Sequence, residues 1–167
     1  MVKKNLLRAD LEVRHVTEIN FSLLAEKGIR GLLLDLDNTL TVWHGMEVDP
    51  AVQAWLDSGK ARGFRLCILS NSHEERVRPM GELLGLQTYY MSLKPRKSAF
   101  CKGCRELGLP PQQVAMVGDQ LFTDICGGNL AGLMTILTEP IDPREMWGTR
   151  HIARPLESLV RKLQGKK

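Results

Sequence analysis

The chain has 167 residues, 43% hydrophobic and 25% charged, the balance of a soluble globular protein large enough for one domain with a full core. No apolar run approaches the ~20 residues needed to span a bilayer, so no transmembrane helix is expected. Its 23 Lys and Arg against 19 Asp and Glu leave a formal charge of +4, read either as solvated chain ends or as mild attraction to an anionic partner such as a membrane surface, a nucleic acid or a phosphorylated substrate.

The first residues, "MVKKNLLRADLEVRHV", bring Lys3, Lys4 and Arg8 but no apolar leader core and no small-residue cleavage site. A cytoplasmic protein without a signal peptide is expected. The part "NLLRADLEVRHV" can lie on an anionic surface or pack on a sheet, and packing is the expectation. The run Gly31–Leu36 reads as a strand buried on both faces. Asp49 and Pro50 then suit the N-cap and first position of a helix, with Val52, Trp55 and Leu56 on its apolar face and Gly63 at its end. Residues 64–69, "FRLCIL", form the second strand. Ser72 and Glu75 fit a capping box for the next helix, which Pro79 is expected to kink or break. Residues 86–92 make a third, less apolar strand, and Pro95 can open a helix that runs to Leu107 and stops at Gly108. Residues 113–119 and 133–138 supply the fourth and fifth strands. Between them "FTDICGGNLAG" reads as a helix weakened by Gly127 and Gly128. The tail "RPLESLVRKLQ" is expected to form a last amphipathic helix, followed by further lysines.

Short apolar runs alternating with helical segments indicate an α/β fold: one Rossmann-like, three-layer α/β/α domain around a parallel sheet of about five strands. Of the four cysteines, Cys67 sits in an apolar run and reads as core. Cys101 and Cys104 form a lone CxxC on one helix face, without a second pair or a nearby His, and packing is favoured over a metal or disulfide.

The polar residues of interest fall at strand ends: Asp35 and Asp37 after the first strand, Ser70 after the second, Lys94 beyond the third, Asp119 after the fourth. A buried, unpaired carboxylate is costly, and ligands of open parallel sheets bind outside the carboxyl ends of the strands. An acid pair, a hydroxyl, an ammonium and another acid at one edge therefore point to a site.

Taken in order, these residues resemble the haloacid dehalogenase-like phosphohydrolases. The chain carries DxDxT as Asp35-Leu36-Asp37-Asn38-Thr39, a strand ending in Ser70, Lys94 in "LKPRK", and GDxxxxD from Gly118-Asp119 to Asp124. It is more closely similar to the YqeG family, a capless (class III) group, through "GIRGLLLDLDNTL", Trp43, "ILSNS", "KP", "VGDQLFTDICGGN" and "AGLMTIL". The similarity runs from about residue 6 to about residue 160 and implies one hydrolase domain over 1–167, with its core at about 28–140. Leu130 stands where the family pattern leads one to expect a basic residue, and the Asn that commonly precedes the position of Arg154 is missing.

The resemblance implies a Mg²⁺-dependent phosphoric monoester hydrolase. Asp35 would be the nucleophile that forms an aspartyl-phosphate, and Asp37 the acid and base for the leaving oxygen and the hydrolytic water. Related ATPases carry Thr at the position of Asp37. Asp35 and Asp119 would offer carboxylates to the metal and Asp37 its main-chain carbonyl. The Ser70 hydroxyl, the Asn71 N–H and Lys94 would bind the phosphoryl group. Thr39 would brace the loop, and Asp124 would orient Lys94 or a metal-bound water, with a simple N-cap as its alternative role. Ser72 and Thr123 read as caps, His44 and His73 as surface residues, and Trp43 equally as loop packing or a shield over the site.

The spacing leaves no room for a cap domain, so the site is expected to be open to large substrates. The resemblance points to phosphatidylglycerophosphate at an anionic membrane surface, with peripheral attachment. A soluble sugar-phosphate or nucleotide phosphatase remains an alternative, as does a non-enzymatic module binding nucleic acid or protein, against which the intact acids argue. Nucleic acid is disfavoured as a partner and oligomerisation is left open.

Overall fold

The computed structural model describes residues 5–143. The expected C-terminal helix, Arg154 and the basic ends at Lys3, Lys4 and 161–167 lie outside the described residues.

Six parallel strands form one sheet in the order β1-β6-β5-β2-β3-β4. They are β1 (Leu11–Val13), β2 (Gly31–Leu34), β3 (Arg65–Leu69), β4 (Gln87–Tyr89), β5 (Val114–Gly118) and β6 (Met134–Thr138). The helices between them are α1 (Phe21–Glu26), α2 (Pro50–Ala61), α3 (Glu74–Leu84), α4 (Lys97–Leu107) and α5 (Cys126–Ala131). The side-chain alternation of β2 builds the layers. Leu32 and Leu34 enter a core with Phe21, Trp55, Leu56, Val77 and Met80 of α1, α2 and α3. Leu33 points the other way, toward Phe100, Cys104 and Ala131 of α4 and α5. Both faces of β2 are thus sealed, as a continuous apolar run in a parallel sheet requires.

Four expectations change. The sheet has six strands, not about five, because residues 11–13 pair with residues 136–138 of β6. Asp10 extends that pairing: its Oδ2 accepts from the Thr135 N–H at 2.9 Å. The segment that could have lain on an anionic surface is instead an edge strand. Secondly, Pro79 does not break α3, which runs unbroken to Leu84. Pro79 is solvent-exposed, so the carbonyl that loses its helical N–H partner there can turn to water. Thirdly, α3 has no side-chain cap; His73 stands at its N-cap position, and the Ser72 hydroxyl is used elsewhere. Fourthly, α4 begins at Lys97, two residues after Pro95.

The cysteines are free. Burial pushes the Cys67 thiol up to about 12 and the Cys104 thiol up to about 11, which suits packing and not reactivity. Gly127 and Gly128 do lie in a helix, α5, preceded by a π-helical turn at Leu121–Ile125. Gly127 is needed for contact, because any side chain there would meet the Phe100 ring of α4.

Candidate active site

Each of the central strands β2, β3 and β5 delivers a polar group to the carboxyl edge of the sheet. Asp35 continues β2 by one residue, its N–H donating to the Val117 carbonyl at 2.9 Å. The chain then folds over itself. Thr39, Leu40 and Thr41 donate their N–H groups to the Leu36 carbonyl, while Asn38 takes a left-handed conformation (φ 62°) and donates to Thr41 O at 2.7 Å. Asn suits that conformation. This compact turn buries Asp35, Asp37, Asn38, Thr39 and Thr41 together.

Lys94 is the hub. Its Nζ donates to Asp35 Oδ1 at 2.6 Å and to Asp124 Oδ1 at 2.8 Å, and its side chain is only 2% exposed. Asn71 fastens its main chain: Asn71 Oδ1 accepts from Lys94 N–H (2.8 Å) and Ser92 Oγ (2.9 Å), and Nδ2 donates to the Lys94 carbonyl (3.0 Å). Asn71 therefore positions Lys94 through its side chain, in addition to the main-chain N–H expected of it. Asp124, expected to orient Lys94 or a metal-bound water, lies within hydrogen-bond distance of Lys94. Asp124 is not an N-cap; it is fully buried in the π-helical turn, and Oδ2 accepts from Gln120 N–H at 3.2 Å. A side chain at Gly118 would collide with the Asp124 carboxylate, a reason for the glycine of the GDxxxxD motif. The Thr39 hydroxyl lies 3.4 Å from both Asp35 Oδ2 and Asp119 Oδ1, so it faces carboxylates and does more than brace the loop.

Asp35, Asp119 and Asp124 each offer a carboxylate oxygen, and these atoms lie within 4.8 Å of one another. An all-oxygen, carboxylate-rich set fits a hard divalent cation such as Mg²⁺. Both Asp124 oxygens are engaged, Oδ1 by Lys94 and Oδ2 by the Gln120 N–H, whereas Lys94 takes Oδ1 of Asp35 and leaves Oδ2 facing the Thr39 hydroxyl at 3.4 Å; Asp35 and Asp119 are therefore the carboxylates best placed to hold it. The electrostatics agree. Burial pushes Asp35 up to about 7, opposed by Lys94 and reinforced by Asp124. Burial, then Asp35 and Asp124, push Asp119 up to about 8. Burial works against the Lys94 charge, but Asp124 and Asp35 more than offset it and hold the ammonium above its ordinary range.

These shifts have a sign that can be tested in metal-free protein. The unfolded aspartates titrate near 3.8, so at intermediate pH the folded chain binds more protons than the unfolded chain. The stability contributed is full below about pH 4, falls as pH rises through the folded values, and is gone above about pH 8. In chelator, the melting temperature of wild type minus that of Asp119→Asn should therefore fall between about pH 5 and about pH 8. A flat difference would contradict the burial described.

Asp37 faces the other way. Its Oδ1 accepts from Arg76 Nη2 (2.9 Å), Arg76 Nε (3.2 Å) and the His44 N–H (3.2 Å), and its Oδ2 from Ser72 Oγ (2.9 Å). The Ser70 hydroxyl, buried beside it, accepts from Ser72 N–H at 3.1 Å. Arg76 and Ser72 are neighbours of Asp37 that the sequence does not announce, Ser72 because it fits a cap. A signal existed: both residues lie just after β3, Ser72 three residues past its end and Arg76 in the first turn of α3, on the side of the sheet where the motif acids stand. His44 is exposed, as expected, but its main chain serves the site. Trp43 packs edge-on against the His44 ring, with centroids 5.2 Å apart.

The comparisons with known proteins bear on the same residues. A family model described as haloacid dehalogenase-like hydrolase matches residues 42–132. The chain is also 35% identical to a protein of Bacillus subtilis (strain 168) named "Probable phosphatase YqeG", over 90% of this chain and 87% of that one. The chain belongs to the haloacid dehalogenase-like hydrolases. Within this superfamily it is a phosphatase close to YqeG and to plant and algal enzymes. A model described as mitochondrial PGP phosphatase matches residues 1–82. The Arabidopsis thaliana phosphatidylglycerophosphate phosphatase 1 is 28% identical over 81% of this chain, which spans 41% of that protein's length. A crystal structure from Listeria monocytogenes serotype 4b shares the hydrolase fold, with a TM-score of 0.56 at 19% identity over 69% of this chain and 84% of that one. Among the described residues of this hydrolase, no domain is inserted after β2 or β3, and no helix is long and apolar enough to cross a membrane.

Proposed function

We propose that this phosphatase hydrolyses a phosphate monoester through a phosphorylated Asp35, and that its substrate is phosphatidylglycerophosphate. The observation that carries the first part is the setting of the Asp35 carboxylate. One oxygen is held at 2.6 Å by the Lys94 ammonium and the other faces Thr39. The carboxylate is thus oriented by fixed donors at the open edge of the sheet, where a phosphoryl group can meet it.

In this reading an Asp35 oxygen forms a bond to phosphorus as the ester P–O bond breaks, and Asp37 gives its proton to the leaving alkoxide. Asp37 then takes a proton from water as that water attacks phosphorus, which releases inorganic phosphate and restores Asp35. Lys94, the Ser70 hydroxyl and the Asn71 main-chain N–H bind the phosphoryl oxygens. Mg²⁺, held by Asp35, Asp119 and the Asp37 carbonyl, would supply charge neutralisation at those oxygens. Intact acids and ammonium at bonding distance favour an enzyme over a binding module that keeps only the fold.

Arg76 is a positioning residue here, since it reaches the chemistry through Asp37. Arg76→Ala should lower kcat by about 10- to 100-fold, with little change in KM, because losing the positioning partner of Asp37 forfeits part of the roughly 10²- to 10⁴-fold that general acid–base catalysis supplies. Arg76→Lys should restore part of the loss. A lowered melting temperature that accounts for the loss, with no rescue by Arg76→Lys, would assign Arg76 to the fold alone.

The substrate rests on the names of the plant and algal relatives and on the uncapped site, which can admit a headgroup presented by a large assembly. The test is a phosphate-release panel with Mg²⁺: an aryl phosphate, a sugar phosphate, a nucleotide, and phosphatidylglycerophosphate in vesicles. Preference for the lipid supports the reading. Good turnover of a soluble ester with none of the lipid would make this a soluble-ester phosphatase.

A further inference from the structure

Nine large apolar side chains are exposed among the described residues, and six of them lie in the segments that follow β2, β4, β5 and β6: Val42, Met46, Met91, Leu93 and Ile141 in loops, and Leu121 at the start of the π-helical turn. All four segments leave the carboxyl edge of the sheet, so the six residues ring the site. Each is tied to it. Met46 Sδ lies 3.5 Å from Arg76 Nη1. Met91 N–H donates to the Ser72 carbonyl at 2.9 Å, and Ile141 N–H to the Asn38 carbonyl at 3.2 Å. Leu93 adjoins Lys94, Leu121 stands two residues past Asp119, and Val42 follows the buried turn.

Two of these residues are held against their own preference. Met91 (φ 45°) and Leu93 (φ 63°) are in the left-handed region, which is strained for a side chain with a Cβ. They remain 51% and 56% exposed, so no burial among the described residues compensates. Such strain persists where function uses it.

We infer that this ring is the membrane-facing surface of the enzyme: it enters the headgroup boundary of an anionic bilayer and brings a phosphate ester there down to Asp35. The inference rests on the lipid-phosphatase reading above and names the surface that serves it. Three observations favour a bilayer as the occupant. The exposed apolar residues are spread over four connections around a polar floor, which suits insertion more than the seating of a helix or strand in a groove. Arg96 and Lys97, both exposed, stand three and four residues past Leu93 and suit anionic headgroups. A protein partner covering the ring would also cover the site and exclude substrate, whereas a bilayer carries the substrate in. The membrane-seeking surface is therefore the active-site rim, not residues 10–13, which the sheet has taken up.

The test uses vesicles of phosphatidylcholine with phosphatidylglycerol, in chelator, and follows co-sedimentation. Two double variants come from different segments. In Met91→Asn with Leu93→Asn, the new residues tolerate the left-handed backbone; the second pair is Val42→Ser with Leu121→Ser. Each should weaken vesicle binding by about tenfold, given the apolar surface each removes, while turnover of an aryl phosphate with Mg²⁺ stays within about twofold of wild type. Wild type that fails to sediment overturns the inference, as do variants that sediment like it. So does a wild-type dimer that either pair dissociates, without vesicle binding, since the ring is then a self-association surface. Hydrolysis of vesicular phosphatidylglycerophosphate separates the two claims. Vesicle binding without phosphate release defeats the substrate reading and leaves the ring; equal release by wild type and both pairs defeats the ring and leaves the substrate reading.

Discussion

Asp35→Asn should abolish phosphate release, by more than about a thousandfold, because the amide cannot act as the nucleophile. The fold should be unharmed. The native carboxylate is buried and pushed up to about 7 by desolvation, with Asp124 and Asp37 adding to the push. An amide of the same shape removes a charge that burial disfavours. It also spares Lys94, which keeps Asp124 at 2.8 Å. In the absence of metal, at a pH above about 7, the variant should melt at or above the wild-type temperature. Activity surviving in Asp35→Asn would contradict the assignment. A large fall in its melting temperature would contradict the electrostatic account while leaving the assignment open to the activity measurement.

Lys94→Met should have the largest effect on stability of any single change in the site, and should also abolish turnover. The ammonium lies between two buried carboxylates and is the shared donor to both. Removing one partner of a buried ion pair typically costs about 3–5 kcal/mol, since the remaining charge is left uncompensated. For a chain of this size that is a fall in melting temperature of about 10 °C. The cause can be isolated. Adding Asp35→Asn to Lys94→Met should recover part of the lost stability, as coupled neighbours do in a double-mutant cycle, with activity still absent. Lowering the pH should narrow the gap between Lys94→Met and wild type, because protonated carboxylates no longer need the ammonium. A gap that stays constant with pH would mean that lost packing of the lysine stem, not charge, destabilises the variant.

Strands β2, β3 and β5 were legible because each is a run of buried residues ending in a polar one, and a central parallel strand can carry its pattern in its own sequence. The edge strand β1 was not. Leu11–Val13 is three residues long and only partly buried, and its membership of the sheet depends on Thr135, more than a hundred residues away. The same division holds in the site. Asp35, Lys94 and Asp119 stand in motifs at strand ends, so their convergence followed from topology. Ser72 and Arg76 depend on the direction in which α3 leaves β3, which places them over Asp37 and takes Ser72 from its capping role. Local rules favoured the capping box; a buried carboxylate offered the hydroxyl a charged acceptor, and hydrogen bonds to charged groups are the stronger ones. Pro79 was misread for a related reason: the rule against an internal proline weakens where the freed carbonyl faces water.

The central claim is that Asp35 carries the phosphoryl group. It is tested most directly by trapping in Asp37→Asn, in which the step that returns the group to water loses its base. Incubated with Mg²⁺ and a labelled aryl phosphate, then quenched in acid, this variant should hold label on the peptide containing Asp35. Hydroxylamine, which cleaves acyl phosphates, should release that label, and the additional change Asp35→Asn should prevent its appearance. Wild-type turnover with label that never appears on Asp35 in the trapping variant, or that appears on another residue, would contradict the account.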